Sequence, residues 1–299
     1  MLFIKSRSFR AALFDCTNSE RNELIMKFSE ALENVRAKSP LIHNITNYVT
    51  VNDCANILLA CGASPIMADD SAEAADITSI CGGLNINIGT LNSNTIKSMY
   101  ISGEKANEIK IPTLLDPVGA GASVLRTETA VGLTKKVKFS VIRGNISEIK
   151  TLAGAGGAAK GVDANADDAV TDNTLDSAIA MARDFAKRSG AIIAITGAID
   201  IVTDDKKTFL IHNGNKMMSS ITGTGCQLSA LMTAFIAANP DDMLTAAAAA
   251  VSAMGLCGEI AFERMSEKDG NSSYRNYIID AVYNLSGDEL ERGAKYEIR

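Results

Sequence analysis

The sequence predicts an α/β protein in which a mainly parallel central sheet is flanked by helices and followed by a helical C-terminal third. Short apolar runs at 84–88, 113–115, 140–142 and 191–195 each end in a polar residue or glycine, as buried parallel strands do. Helical segments over 95–109, 127–138, 147–152 and 175–189 lie between those runs, which is the spacing of repeated βαβ units. The composition of the 299-residue chain, 46% hydrophobic and 21% charged, suffices to enclose such a core, and no shift in pattern divides it in two.

Taken in order, the first 25 residues mix apolar side chains with Lys5, Arg7 and Arg10, so no uninterrupted signal-peptide core forms. They read as an extension outside a single domain spanning 26–299. Phe28, Leu32 and Val35 make one helical stripe, a second helix over 54–59 is closed by Gly62, and a third over 72–81 by Gly82 and Gly83. The segments 39–47 and 64–68 between them read as loops, and His43 there is equally a satisfied loop residue or a ligand. Further on, 199–203 and 208–211 flank Asp204, Asp205, Lys206 and Lys207 as an antiparallel hairpin. The Ala/Gly-rich stretch 153–160, followed by Asp163, Asp167 and Asp168, lacks the Lys-Ser/Thr of a phosphate loop and reads as a surface loop.

A formal net charge of -6 disfavours a nucleic-acid backbone as partner, because that binding needs clustered Lys and Arg. A small anion remains open, held by backbone N–H groups and a bound cation that no charge count reveals. The six cysteines form no C-x-x-C pair and read as reduced thiols; with two histidines, His43 and His212, a Cys/His zinc site is disfavoured. The apolar run 243–256 is Ala-rich and too short to span a bilayer, so a cytoplasmic chain with no membrane partner is expected.

Four places concentrate chemistry. Thr222-Gly223-Thr224-Gly225-Cys226 opens a helical run: its glycines either serve close packing or turn Gly223, Thr224 and Gly225 N–H groups toward one anion at a helix N-terminus. Cys226 there is placed where a thiolate is favoured, so it suits a base, nucleophile or soft ligand. Asp116, at a strand end before Pro117, is either a turn initiator or a carboxylate for Mg²⁺. In Arg143-Gly-Asn-Ile-Ser-Glu148 the arginine suits phosphate, while Glu148 is a second Mg²⁺ carboxylate, the N3 partner of an Asn145 cap, or both. Thr196, also at a strand end, offers its hydroxyl to phosphate. Met67 reads as a core residue or as the apolar contact of a small aromatic heterocycle.

The runs Asn44-Ile-Thr-Asn47, Ala63-Ser-Pro-Ile-Met67, Asn87-Ile-Gly-Thr90, Asp116-Pro-Val-Gly-Ala-Gly121, Ile142-Arg-Gly-Asn145 with Glu148, Ile195-Thr-Gly197 and Thr222-Gly-Thr-Gly-Cys226 follow one another in an order that resembles the hydroxyethylthiazole kinase family. The resemblance runs from about residue 28 to near the C-terminus. It implies a ribokinase-like fold, ATP-dependent phosphorylation of the primary alcohol of 4-methyl-5-(2-hydroxyethyl)thiazole in thiamine salvage, Mg²⁺, and a homotrimer with sites between subunits. It further implies that Met67 and Gly223 contact the thiazole, with Asn47 also on the substrate side, that Arg143 and Thr196 meet the ATP phosphates, and that Asp116 and Glu148 shape the Mg²⁺ environment. Cys226 stands where most of the superfamily has an Asp that takes the hydroxyl proton. Other expectations for the same fold are a pyrimidine or sugar kinase, a nucleotide-dependent dehydratase and a non-catalytic nucleotide-binding regulator.

Overall fold

The structure, a computed structural model, describes residues 26–154 and 174–299. The expected N-terminal extension and nearly all of the Ala/Gly-rich loop with its aspartates lie outside the described residues. One nine-stranded sheet runs β2-β1-β3-β4-β5-β6-β7-β8-β9. β1 (Leu41–Ile45), β2 (Ser64–Ile66), β3 (Gly83–Asn87), β4 (Thr113–Asp116), β5 (Val141–Asn145) and β6 (Ile192–Thr196) are parallel. β7 (Asp200–Thr203), β8 (Thr208–Ile211) and β9 (Tyr296–Ile298) then continue it antiparallel, and β7 and β8 are the expected hairpin.

The strands β1 and β4 to β8 send alternate side chains to two separate cores, as a pleated sheet covered on both faces requires. Ile42, Leu114, Val141, Ala194 and Val202 pack with α1 (Phe28–Lys38), α2 (Val51–Cys61), α8 (Thr224–Ala238), α9 (Met243–Glu263), α10 (Asn271–Asn284) and α11 (Gly287–Gly293). Ile45, Ile86, Leu115, Ile142 and Ile193 pack on the other face with α4 (Ser93–Ile109), α5 (Val124–Lys136), α6 (Ile146–Gly154) and α7 (Leu175–Ser189). The remaining helix, α3 (Ala74–Ser79), precedes β3.

Four expectations are corrected. The segments expected to be loops contain β1 and β2: His43 and Asn44 interrupt the apolar run of β1, yet both are buried and hydrogen-bonded, and Pro65 is tolerated because β2 is a sheet edge. The third helix is shorter than expected, since Gly83 already pairs with Ile42 in the sheet. The C-terminal third is not wholly helical, because β9 pairs with β8. Finally, α9 runs on to Glu263 and, at 21 residues, is long and apolar enough to cross a membrane, although 83% of its apolar window is buried inside the protein, as in a core helix.

Candidate active site

The carboxyl ends of β3 to β6 meet the N-terminus of α8. Because Ile86, Leu115 and Ile142 face the other core, the strand period of two turns Asn87, Asp116 and Arg143 toward α8, with Asn87 directly opposite Asp116. Gly223, the residue before α8, adopts φ 87, and a Cβ there would collide with the Thr50 side chain. A left-handed backbone and this close approach both call for glycine. The first N–H groups of α8 have no acceptor within the helix, so they and its dipole point at the strand ends.

Under that helix end lies a closed set of buried polar bonds. Asn87 uses its whole hydrogen-bonding capacity: its Nδ2 donates to Asp116 Oδ2 (2.7 Å) and Cys226 Sγ (3.3 Å), while its Oδ1 accepts from Asn47 Nδ2 (3.0 Å) and Gly89 N (2.9 Å). Asn47 is equally engaged, donating also to Cys226 Sγ (3.2 Å) and accepting from Thr50 N (3.2 Å) and Thr50 Oγ1 (3.1 Å). Ser229 Oγ, one turn along α8 from Gly225, donates to Asp116 Oδ2 at 2.8 Å. Arg143 Nη1 lies 3.6 Å from the same oxygen. Asp116 Oδ1, fully buried, has no hydrogen-bond partner among the described residues.

Electrostatics here revise one expectation. Burial, and then the Asp116 carboxylate, push the Cys226 thiol above its ordinary range, against the opposing pull of bonds from Thr50, Asn47 and Asn87. The helix end therefore does not leave Cys226 with a depressed pKa. Burial also lifts Asp116 to about 6; Arg143 opposes this shift and Glu148 adds to it. The other described cysteines, Cys54, Cys61, Cys81 and Cys257, are buried, and burial raises all four thiols, Cys54 and Cys61 to about 12.

Beside this set opens a cleft of about 720 Å³ whose floor includes Arg143, Thr196, Thr224 and Gly225. Arg143 Nη2 donates to Thr196 Oγ1 at 2.5 Å, and the Gly225 backbone packs so closely on the guanidinium that a Cβ would lie 2.6 Å from Nη1. Glu148, which is not among the cleft-lining residues, does what the cap reading required: Asn145 N donates to Oε2 (2.8 Å) and Glu148 N to Asn145 Oδ1 (2.9 Å). Its Oε1 accepts from Gly119 N (2.8 Å), which ties the turn after β4 to the start of α6.

The structure thus brings together Asn47, Asp116, Arg143, Glu148, Thr196, Gly223, Thr224, Gly225 and Cys226. Met67 lies one residue past β2, at the same carboxyl edge, half-buried against the α8-side core and without a bond to the rest. His43 is no ligand: Nε2 donates to Ala68 O (2.7 Å) and Nδ1 meets Thr78 Oγ1 (3.0 Å), and burial lowers its pKa. Three residues carry no role in the sequence reading. Asn87 stands there only at the head of a family-like run and Ser229 only as a helix position, and the bonds of both to Asp116 are tertiary. Asp200 lines the cleft, accepts from Gly197 N (2.8 Å) and is pushed up to about 7 by burial.

The sheet and the helices on its two faces make a ribokinase-like fold. The fold recurs in pyridoxal kinases from Staphylococcus aureus (13% identity, TM-score 0.57, 87% of this chain and 98% of that one) and Bacillus subtilis (17%, 0.55, 73% and 90%). The sequence model of the hydroxyethylthiazole kinase family matches residues 32–288. A hydroxyethylthiazole kinase of Clostridium acetobutylicum is 64% identical over 90% of this chain and 98% of its own length, and one of Clostridium beijerinckii 53% identical over 91% and 97%. The solved structure of the hydroxyethylthiazole kinase of Pyrococcus horikoshii superposes with TM-score 0.81 at 34% identity, covering 91% of this chain and 98% of that one. The chain belongs to the hydroxyethylthiazole kinase family, and as a member it is a kinase with ATP as co-substrate.

Proposed function

We propose that this chain transfers the γ-phosphoryl group of ATP to the primary alcohol of 4-methyl-5-(2-hydroxyethyl)thiazole, the salvage step of thiamine synthesis, in the cytoplasm. The observation that carries this reading is the Asn47–Asn87–Cys226–Asp116 set, which joins an acceptor-side residue to a phosphate-side carboxylate through Asn87 alone.

In this reading Met67, Gly223 and Asn47 hold the thiazole, and Arg143 and Thr196 hold the ATP phosphates. Gly223, Thr224 and Gly225 turn the start of α8 toward the charge that develops on the transferred group. Mg²⁺ fits the donor set, because Asp116 Oδ1 is a buried carboxylate oxygen without a hydrogen-bond partner among the described residues and Glu148 lies close enough to raise the Asp116 pKa. Two carboxylates suffice for an ion that keeps waters and phosphate oxygens, and when bound it would neutralise phosphate charge. The remaining chemistry falls to the chain's own groups. Cys226 Sγ accepts two amide N–H groups and so has a fixed position beside the acceptor site. As thiolate it takes the alcohol proton while the alcohol oxygen bonds phosphorus and the bond to the ADP oxygen breaks. Because burial keeps that thiolate scarce at neutral pH, most of the acceleration comes from positioning and charge stabilisation, which dominate phosphoryl transfer.

The sites lie between subunits of a homotrimer. Supporting this, Tyr48 (79% exposed) and Val124 (72% exposed) leave apolar surface at the carboxyl edge, beside the loops that carry Asn47 and Gly119. The test is ADP release with ATP and Mg²⁺, with and without the thiazole, followed by mass detection of the phosphate ester. Thiazole-dependent ADP with the matching ester is the expected result; tight ATP binding without that product contradicts the reading.

A further inference from the structure

The far wall of the proposed nucleotide cleft includes residues to which the proposed function assigns no role. His212, Asn213 and Gly214, following β8, form that wall, and each is held by the end of the chain or by α9. His212 N donates to Lys295 O at 2.8 Å. Asn213 turns its amide away from the cleft and spends it there: Nδ2 donates to Gly293 O (2.9 Å) and Glu259 Oε1 (3.3 Å), and Oδ1 accepts from Lys295 N (2.7 Å). Gly214 N donates to the same Glu259 Oε1 at 2.9 Å. Glu259 Oε2 meets Lys295 Nζ at 2.7 Å. From below, Gly255 of α9 lies so near that a Cβ would sit 2.6 Å from the backbone oxygen of Asn213.

We infer that Glu259 and the segment 293–295 are a latch that sets the width of the nucleotide site, with Asn213 as the positioning residue through which it acts. The bonds given for 212–214 run to α9 and to the C-terminal segment, so these hold the wall from behind. Release of the latch lets the wall move outward and loosens the grip on the nucleotide, while the acceptor set under α8 shares no bond with it. The roles within the latch differ. Glu259 Oε1 carries two donors from the wall, whereas the Oε2–Lys295 pair is exposed on the lysine side and contributes little.

This rests on the cleft being the ATP site, and the experiment separates the two. ATP affinity by calorimetry, and KM for ATP and for the thiazole, are measured for the full chain carrying Glu259→Ala, Glu259→Gln, Gly255→Ala or Arg143→Met. Loss of two bonds to a carboxylate is expected to weaken ATP about tenfold in Glu259→Ala and leave KM for the thiazole within about twofold. Glu259→Gln keeps the Oε1 acceptor and is expected to restore most of the affinity. Gly255→Ala, a substitution that favours the helix itself, is expected to weaken ATP in the same direction by displacing Asn213. The latch is overturned by a folded Glu259→Ala that binds ATP as the unaltered chain does, or that raises both KM values alike. Should Glu259→Ala not fold, unchanged ATP affinity in Gly255→Ala overturns it instead. Unchanged ATP affinity in Arg143→Met strikes the assignment of the cleft, whereas weakened binding there with an intact Glu259→Ala strikes the latch alone.

Discussion

In the proposed reading, the acceptor side and the nucleotide side of this site are built on opposite plans. On the acceptor side, side chains from β3, β4, α8 and the loop after β1 bond one another until almost no donor is spare, and Asn87 is filled at all four positions. On the nucleotide side an open cleft is lined by Arg143, Thr196 and Asp200 and by the 212–214 segment, which Glu259 and the C-terminal segment hold from behind. A small acceptor whose hydroxyl must be placed to a fraction of an ångström calls for the first plan; a flexible, highly charged triphosphate is served by the second. The two plans join at Asp116, which bonds Asn87 and Ser229 through one oxygen, lies near Arg143, and leaves its other oxygen without a hydrogen-bond partner among the described residues.

The sharpest way to break the comparison is at that junction. Asp116→Asn keeps the shape but removes the carboxylate, and kcat is expected to fall by roughly 10²–10³-fold, the scale for losing one preorganised electrostatic contact. KM for ATP should move far less. If kcat stays near that of the unaltered enzyme, the two sides do not meet at Asp116.

A smaller effect, of opposite sign, is expected at Cys226. Cys226→Asp places an ionisable group with a far lower ordinary pKa where Asn47 and Asn87 already donate, so turnover at neutral pH is expected to hold or rise. With the thiol in place, activity should climb as pH rises from neutral, because burial holds that thiol above its usual range; the Asp variant should flatten this climb. A well-folded Asp variant without activity would remove Cys226 from the role of base.

The smallest effect tests the nucleotide side and is read in stability. Asp200 has an ordinary pKa of 3.8 and is raised to about 7 in the fold. Between those values the folded chain holds a proton that the unfolded chain has lost, so stability falls as pH rises through the window. Asp200→Asn keeps an acceptor for Gly197 N and removes the titration. Thermal midpoints of the variant should exceed those of the unaltered chain above pH 7, with the gap closing toward pH 4; a gap independent of pH contradicts the assignment.

Much of this architecture was legible in residue order. The apolar runs of β3 to β6, the hairpin of β7 and β8, the Gly62 helix end and the reciprocal Asn145–Glu148 cap all follow from local periodicity or local chemistry. β1 was not, because His43 and Asn44 look like loop residues until Ala68 O and Thr78 and the β1 carbonyl of Ile42 are seen to satisfy them. Within the site, Asp116, Arg143 and Thr196 announce themselves at strand ends. Asn87 does not, since its importance lies in four partners from four places in the chain.

The sequence by itself determined the parallel sheet, the carboxyl edge at which the chemistry lies and the residue types available there, because hydrophobic period and turn chemistry are local properties. Tertiary structure alone decided how those residues act. Burial and a neighbouring carboxylate raise the thiol that a helix N-terminus in isolation would have lowered, and Asn213 in the cleft wall bonds a segment about eighty residues further along the chain, a distance at which no local pattern carries information.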